Sequence, residues 1–230
     1  MEVAGIIASS LAYGRVEQIV KKAGWVLSRL EGSPAKVIVS ESTRDLLHRI
    51  KGFSHRFTND RELALFIKGV GKVIKRYGSL RDCFMSGYSP DDKNIIPALS
   101  FLTKQIKKEA GSPLSFLLPD PEKGSACKRL NLFARWMVRN DEIDPGCWNG
   151  IPPSKLLVPM DTHMHRISLG MGLTERTYVN IKLVLEVTEG FKKFCPDDPV
   201  KYDFALTRLG MMGGEFSLGI LDETQRQHNF

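Results

Sequence analysis

The stretch "VPMDTHMHRIS", residues 158–168, sets an acid, a threonine, two histidines and an arginine between apolar flanks, and the period assigned to it decides the fold. On a strand, Asp161, His163 and His165 would share one side and suit the metal centre of a barrel hydrolase. On a helix, the middle member of an i, i+2, i+4 set diverges from the other two. The helical reading makes Asp161 an N-cap, its carboxylate accepting from the free N–H groups of the next turn. An acid there is more often a cap than a catalyst, yet a capping carboxylate held rigid and ionised can also face a cleft.

Outward from this stretch, helical spacing prevails. In "EVAGIIASSLAYGRVEQIVKKAGWVLSRL" apolar residues recur at threes and fours, with a turn at Gly14. The same period runs through "STRDLLHRI", "NDRELALFIKGVGKVIKRYG", "IIPALSFLTKQIKKEA", "KRLNLFARWMVRN", "RTYVNIKLVLEVTEGFKKF" and "DPVKYDFALTRLGMM". Turn-rich stretches such as "GYSPDD", "LLPDPEKGS" and "DPGCWNGIPPSK" punctuate them. An all-α chain is predicted, in two helical lobes, 1–158 and 159–230, with a cleft where they meet near residue 160.

The 230 residues are 42% hydrophobic and 26% charged, an ordinary globular composition able to bury a core. Lys and Arg outnumber Asp and Glu, 33 to 26, and the net charge of +7 favours polyanionic partners. Cys83, Cys127, Cys147 and Cys195 lie far apart without a CxxC pair, so neither a zinc knuckle nor an iron–sulfur cluster is indicated, and no cofactor or metal is expected. No run approaches membrane-spanning length, and the start lacks the basic region of a signal peptide; a reducing cytoplasm is the expected location.

A second segment that could carry chemistry is "PEKGSACKRLNLFARWMVR", residues 121–139. Gly124, Ser125, Ala126 and Cys127 make a small-residue turn, and Lys128 opens an amphipathic helix. Such a turn can offer backbone N–H groups to a phosphate at the helix start. "KGVGKVIKRYG", residues 68–78, looks more like a phosphate loop, but its apolar face continues from Leu63 to Tyr77 and predicts one helix with tolerated glycines.

Taken together, "LLVPMDTHMHRISLGMGL" and "KGSACKRLNLF" resemble the aspartate and hairpin-plus-lysine segments of the helix-hairpin-helix (HhH-GPD) DNA glycosylases typified by endonuclease III. The opening "EVAGIIASSLAYGRVEQIV" resembles their early helix and "YDFALTRLGM" their late one. The sequence departs from the pattern in several places. Ala126 stands for a hairpin glycine, Leu11 for a polar residue, and the cluster cysteines have no counterpart. The longer insertion between Lys128 and Asp161 is closer to the archaeal 8-oxoguanine DNA glycosylases, and the chain is also similar to a bacterial and archaeal group sharing the KGSACKRLN…PMDTHMHR arrangement.

The resemblance implies a base-excision repair enzyme acting as a monomer, cytoplasmic and nucleoid-associated, with DNA N-glycosylase and AP-lyase activity on double-stranded DNA carrying a damaged base or abasic site. An oxidised purine such as 8-oxoguanine is the candidate lesion. Lys128 is then the nucleophile and Asp161 the group that stabilises positive charge on the sugar, with Thr162, His163 and Arg166 in support. Gly124, Ser125, Ala126, Cys127, Arg129, Lys123 and Lys155 are candidate DNA contacts. Tyr13, Trp148 and Phe133 are candidates for the base pocket. An amine nucleophile must shed its proton, and lowering an amine pKa from ~10.4 to about 7.5 costs roughly 4 kcal/mol. A nearby carboxylate opposes that shift, so Lys128 and Asp161 are expected to face one cleft without a tight ion pair. Two other readings stay open: a helical DNA- or RNA-binding module without chemistry, and a metal-dependent hydrolase built on Asp161, His163 and His165.

Overall fold

The computed structural model describes residues 1–211; the last 19 residues of the expected second lobe, 212–230, lie outside them. Eleven α-helices are present among the described residues, so the chain is all-α apart from one small hairpin. They are α1 (Glu2–Ser10), α2 (Val16–Arg29), α3 (Pro34–Ser40), α4 (Thr43–Arg49), α5 (Asp60–Tyr77), α6 (Leu80–Met85), α7 (Ile96–Ala110), α8 (Lys128–Val138), α9 (Thr162–Gly170), α10 (Ile181–Lys192) and α11 (Asp203–Met211). Between α4 and α5, β1 (Ser54–His55) and β2 (Thr58–Asn59) pair antiparallel, a hairpin the helical period gave no reason to expect.

Local side chains set the helix starts. Ser42 and Asp45 form a reciprocal capping box on α4, while Asn59, Ser79 and Asn180 each accept from the backbone three residues on, starting α5, α6 and α10. The Asn180 cap explains why α10 begins there and not at Arg176, where the apolar spacing starts. In the same way "DPVKY" is spent in turns, and α11 begins only at Asp203. No helix among the described residues is long and apolar enough to cross a membrane.

Helix α5 is continuous through "KGVGK", as its spacing predicts, and packs against α3, α4, α6 and α7. Its glycines are required, which "tolerated" understates. A Cβ on Gly71 would lie 2.1 Å from the Ile38 carbonyl oxygen of α3, and one on Gly69 2.7 Å from that of Ile106 in α7. Both obstacles are backbone, so the helices can approach only where a side chain is absent. Gly71→Ala is therefore expected to destabilise the fold by about 1–3 kcal/mol or more, read as a lower urea midpoint with an unchanged slope.

One connected core runs from Val3 of α1 through α5, α7 and α8 to Val187 of α10 and Val200. Helix α1 lies along α8, and α9 along α11. The start of α8 and the start of α9 are thereby brought to one place.

Candidate functional site

The chain enters α8 through a turn that the backbone conformation dictates. Gly124 sits at φ +84° and Cys127 at +47°, both in the left-handed region. Gly124 is the residue type that adopts this conformation without strain. The element before the turn is a single 3-10 turn, Pro121–Lys123, and not a full helix. The Gly124 carbonyl accepts from the Ile181 N–H at 3.0 Å, tying the turn to α10, and Asn131 Nδ2 donates to the Ala126 carbonyl at 3.1 Å. Cys127, buried, caps α8 without a side-chain bond, leaving the first N–H groups of that helix without a capping side chain.

Lys128 and Asp161 meet. Lys128 Nζ lies 3.1 Å from Asp161 Oδ2, with side chains 36% and 12% exposed, and Oδ1 accepts from the Met164 N–H at 2.8 Å as the cap of α9. One carboxylate thus performs both tasks, each oxygen holding a different partner. The contact corrects the expectation of a shared cleft without a tight ion pair. A mostly buried carboxylate needs a cation, and the fold brings that amine to it.

Lys128 also stands between two concavities. The first, of about 490 Å³, is walled by Tyr13, Phe116, Ser125, Ala126, Cys127 and Val179. The second, of about 540 Å³ and more apolar, lies between α8 and α11, with Trp136, Phe204, Arg135, Asp161 and Asp203 on its walls.

Asp203 and Arg135 were not singled out in the sequence, because each sits in an amphipathic helical stretch like any other polar residue. In the structure both are buried. Arg135 pairs with Asp203 and, through Nε at 2.9 Å, with Asp144, whose same oxygen also meets Arg139. Oδ1 of Asp203 has no hydrogen-bond partner among the described residues. Burial pushes the Asp203 carboxyl up to about 6, and the charge of Asp161 adds to the rise, while Arg135 and Lys128 oppose it. A raised acid favours the folded state when protonated. Its contribution is full below the ordinary value of 3.8 and is lost as pH climbs to about 6. The loss amounts to at most about 3 kcal/mol. Asp203→Asn should flatten that fall in stability between about pH 4 and 6 in urea titrations taken at stepped pH.

Several expected contacts are placed elsewhere. Trp148 is 3% exposed, packs between Phe84 and Phe133, and donates Nε1–H to Glu2 at 2.6 Å, so it belongs to the core and not to a base pocket. Phe133 is fully buried beside it. Arg129 does not reach for phosphate: it donates to the carbonyls of Ser10 and Phe116 and lies over the Tyr13 and Phe116 rings, clipping α8 to the end of α1. Lys155 is turned back onto the carbonyls of Pro90 and Asp92. Tyr13 does wall the first concavity, fixed by donating its hydroxyl hydrogen to the His55 carbonyl and accepting from the Thr58 hydroxyl, and stacked on the His55 ring at 4.3 Å. Lys123 is exposed on the 3-10 turn, and Gly124, Ser125 and Ala126 are half-buried.

Thr162 opens α9 and is exposed, while Arg166 donates to the Gly210 carbonyl at 3.2 Å and His163 lies against Gly210, so both dock α11. The three metal-ligand candidates diverge. Asp161 is engaged by the cap and Lys128, and His165 Nε2 is 2.7 Å from the Arg176 carbonyl. Among the described residues no group of three His, Cys, Asp or Glu converges as a metal site.

Fold and site together define an all-α protein with a lysine–aspartate pair at the joint wall of two concavities. The chain belongs to the family described as protein of unknown function DUF2400, whose model matches residues 1–212. No curated protein and no solved structure matches it.

Proposed function

We propose that this protein is a DNA N-glycosylase with AP-lyase activity, acting through Lys128. The observation that carries the reading is the convergence of Lys128 and Asp161, remote in the chain, beside cavities large enough for an everted nucleoside. The HhH-GPD resemblance of the two segments supplies the chemistry, and the net charge of +7 suits the partner.

In this mechanism the ammonium of Lys128 gives its surplus proton to the departing base as the C1′–N bond breaks and its electron pair leaves with the base. The freed amine forms a bond to C1′, while Asp161 faces the positive charge that develops on the sugar. The C1′–O4′ bond then breaks as O4′ takes a proton from the nitrogen on C1′, giving a protonated Schiff base; Asp161 takes a C2′ proton, and the electron pair released expels the 3′ phosphate oxygen and cleaves the strand. The apolar cavity between α8 and α11, with Trp136 and Phe204 for stacking and Asp203 for N–H groups, suits an oxidised purine. The uncapped start of α8 and the turn before it suit a backbone phosphate.

The test is borohydride trapping on duplex DNA with an abasic site: a covalent adduct supports the reading, and its absence refutes it. The ion pair itself favours a second reading, a nucleic-acid-binding module without chemistry, since it holds the amine on a carboxylate. Salt-sensitive binding with no adduct would establish that alternative.

A further inference from the structure

The β1–β2 hairpin turns through Arg56 and Phe57, and both are exposed. Phe57 is 71% exposed although its ring makes an edge contact, 5.0 Å between centroids, with Phe116. Phe116 in turn packs edge-on to Tyr13 at 4.9 Å, and both wall the concavity that Lys128 borders. An aromatic row therefore leads from solvent at the hairpin tip to the candidate site.

The other flank of the hairpin carries charge. Arg15, Lys22 and Arg56, with Gln18, Ser54 and His55, wall a separate concavity of about 250 Å³. Among the described residues none of these three cations pairs with a carboxylate. Arg56 holds φ +49°, a conformation for which a two-residue hairpin prefers glycine, so a charged side chain is kept where the backbone disfavours it. Gly14 makes room for it: a Cβ there would lie 2.9 Å from Arg56 Nε.

We infer that this hairpin is a second nucleic-acid contact, in which Arg15, Lys22 and Arg56 hold a backbone phosphate of DNA while Phe57 stacks on a base left unpaired beside the lesion. The phosphodiester fits because three cations converge on a hollow too small for a base pair, and the ring fits because every base offers a π face. The partner named rests on the glycosylase reading, but the contact does not require the chemistry.

The test uses the full chain and a duplex carrying a tetrahydrofuran abasic-site analogue opposite 2-aminopurine. Phe57→Ala should weaken binding roughly tenfold with the salt dependence unchanged, and should remove the fluorescence change that wild type produces. Arg56→Gly with Lys22→Gln should instead lower the slope of log K against log salt by about one, as for one lost phosphate contact. Circular dichroism of both variants should match wild type, since the positions are surface ones and glycine suits the turn. Wild-type affinity, slope and fluorescence in both variants would overturn the inference, as would inorganic phosphate at millimolar concentration displacing DNA from wild type and double variant alike. Borohydride trapping by the Phe57→Ala protein on a true abasic site separates the two readings. Trapping with a silent hairpin removes only the hairpin contact; hairpin-dependent binding with no trapping by wild type removes only the lyase.

Discussion

Lys128→Gln is expected to abolish the borohydride-trapped adduct and to lower strand cleavage at an abasic site by on the order of a thousandfold or more, as removal of a covalent nucleophile does. The amide keeps the length and polarity of the side chain but cannot form a Schiff base. Folding should be little affected. Lys128 is 36% exposed, and the Asp161 carboxylate, losing its cation, still accepts from the Met164 N–H that it caps. The stability change should be about 1–2 kcal/mol, since the amine is screened by solvent while the carboxylate that loses it is mostly buried. DNA binding should survive with a salt slope lower by less than one. Wild-type levels of adduct in this variant would show that another amine does the chemistry, and would end the assignment of Lys128.

Arg135→Met is expected to be the most destabilising of the substitutions considered, by about 3–5 kcal/mol, because it leaves buried carboxylates without their cation. Arg135 and Asp144 side chains are 3% and 0% exposed, and Asp203 is 7% exposed. Asp144 keeps Arg139, but among the described residues Asp203 has no other cation in contact. Methionine replaces most of the lost volume, so the loss measures charge and not a cavity. At 2–4 °C per kcal/mol for a chain of this size, the melting temperature should fall by roughly 10 °C. Adding Asp203→Leu should recover much of the loss, since the uncompensated charge goes with it. If the single variant melts within a degree of wild type, the buried network does not hold α8 to α11.

Much of the architecture was legible because apolar residues at threes and fours report helix directly, as in α5, whose face runs unbroken past two glycines. The aspartate cap was equally legible, since "PMDTHM" places an acceptor just before a helical run. Arg129 and Trp148 were misplaced for a shared reason: sequence shows what a side chain is, but not which long-range carbonyl or carboxylate awaits it. Glu2, the partner of Trp148, stands 146 positions away. Asp203 was invisible as a site residue because burial, not its neighbours in sequence, sets its acidity. The hairpin was missed because strands of two residues are too short to show a period.

Since the Lys128 amine forms part of the boundary of both hollows, whatever lodges in the greasy one between α8 and α11 sits against the group that faces the other. On the glycosylase reading a flat aromatic compound there would take the place of the extruded base, so a chemical screen should score displacement of bound DNA.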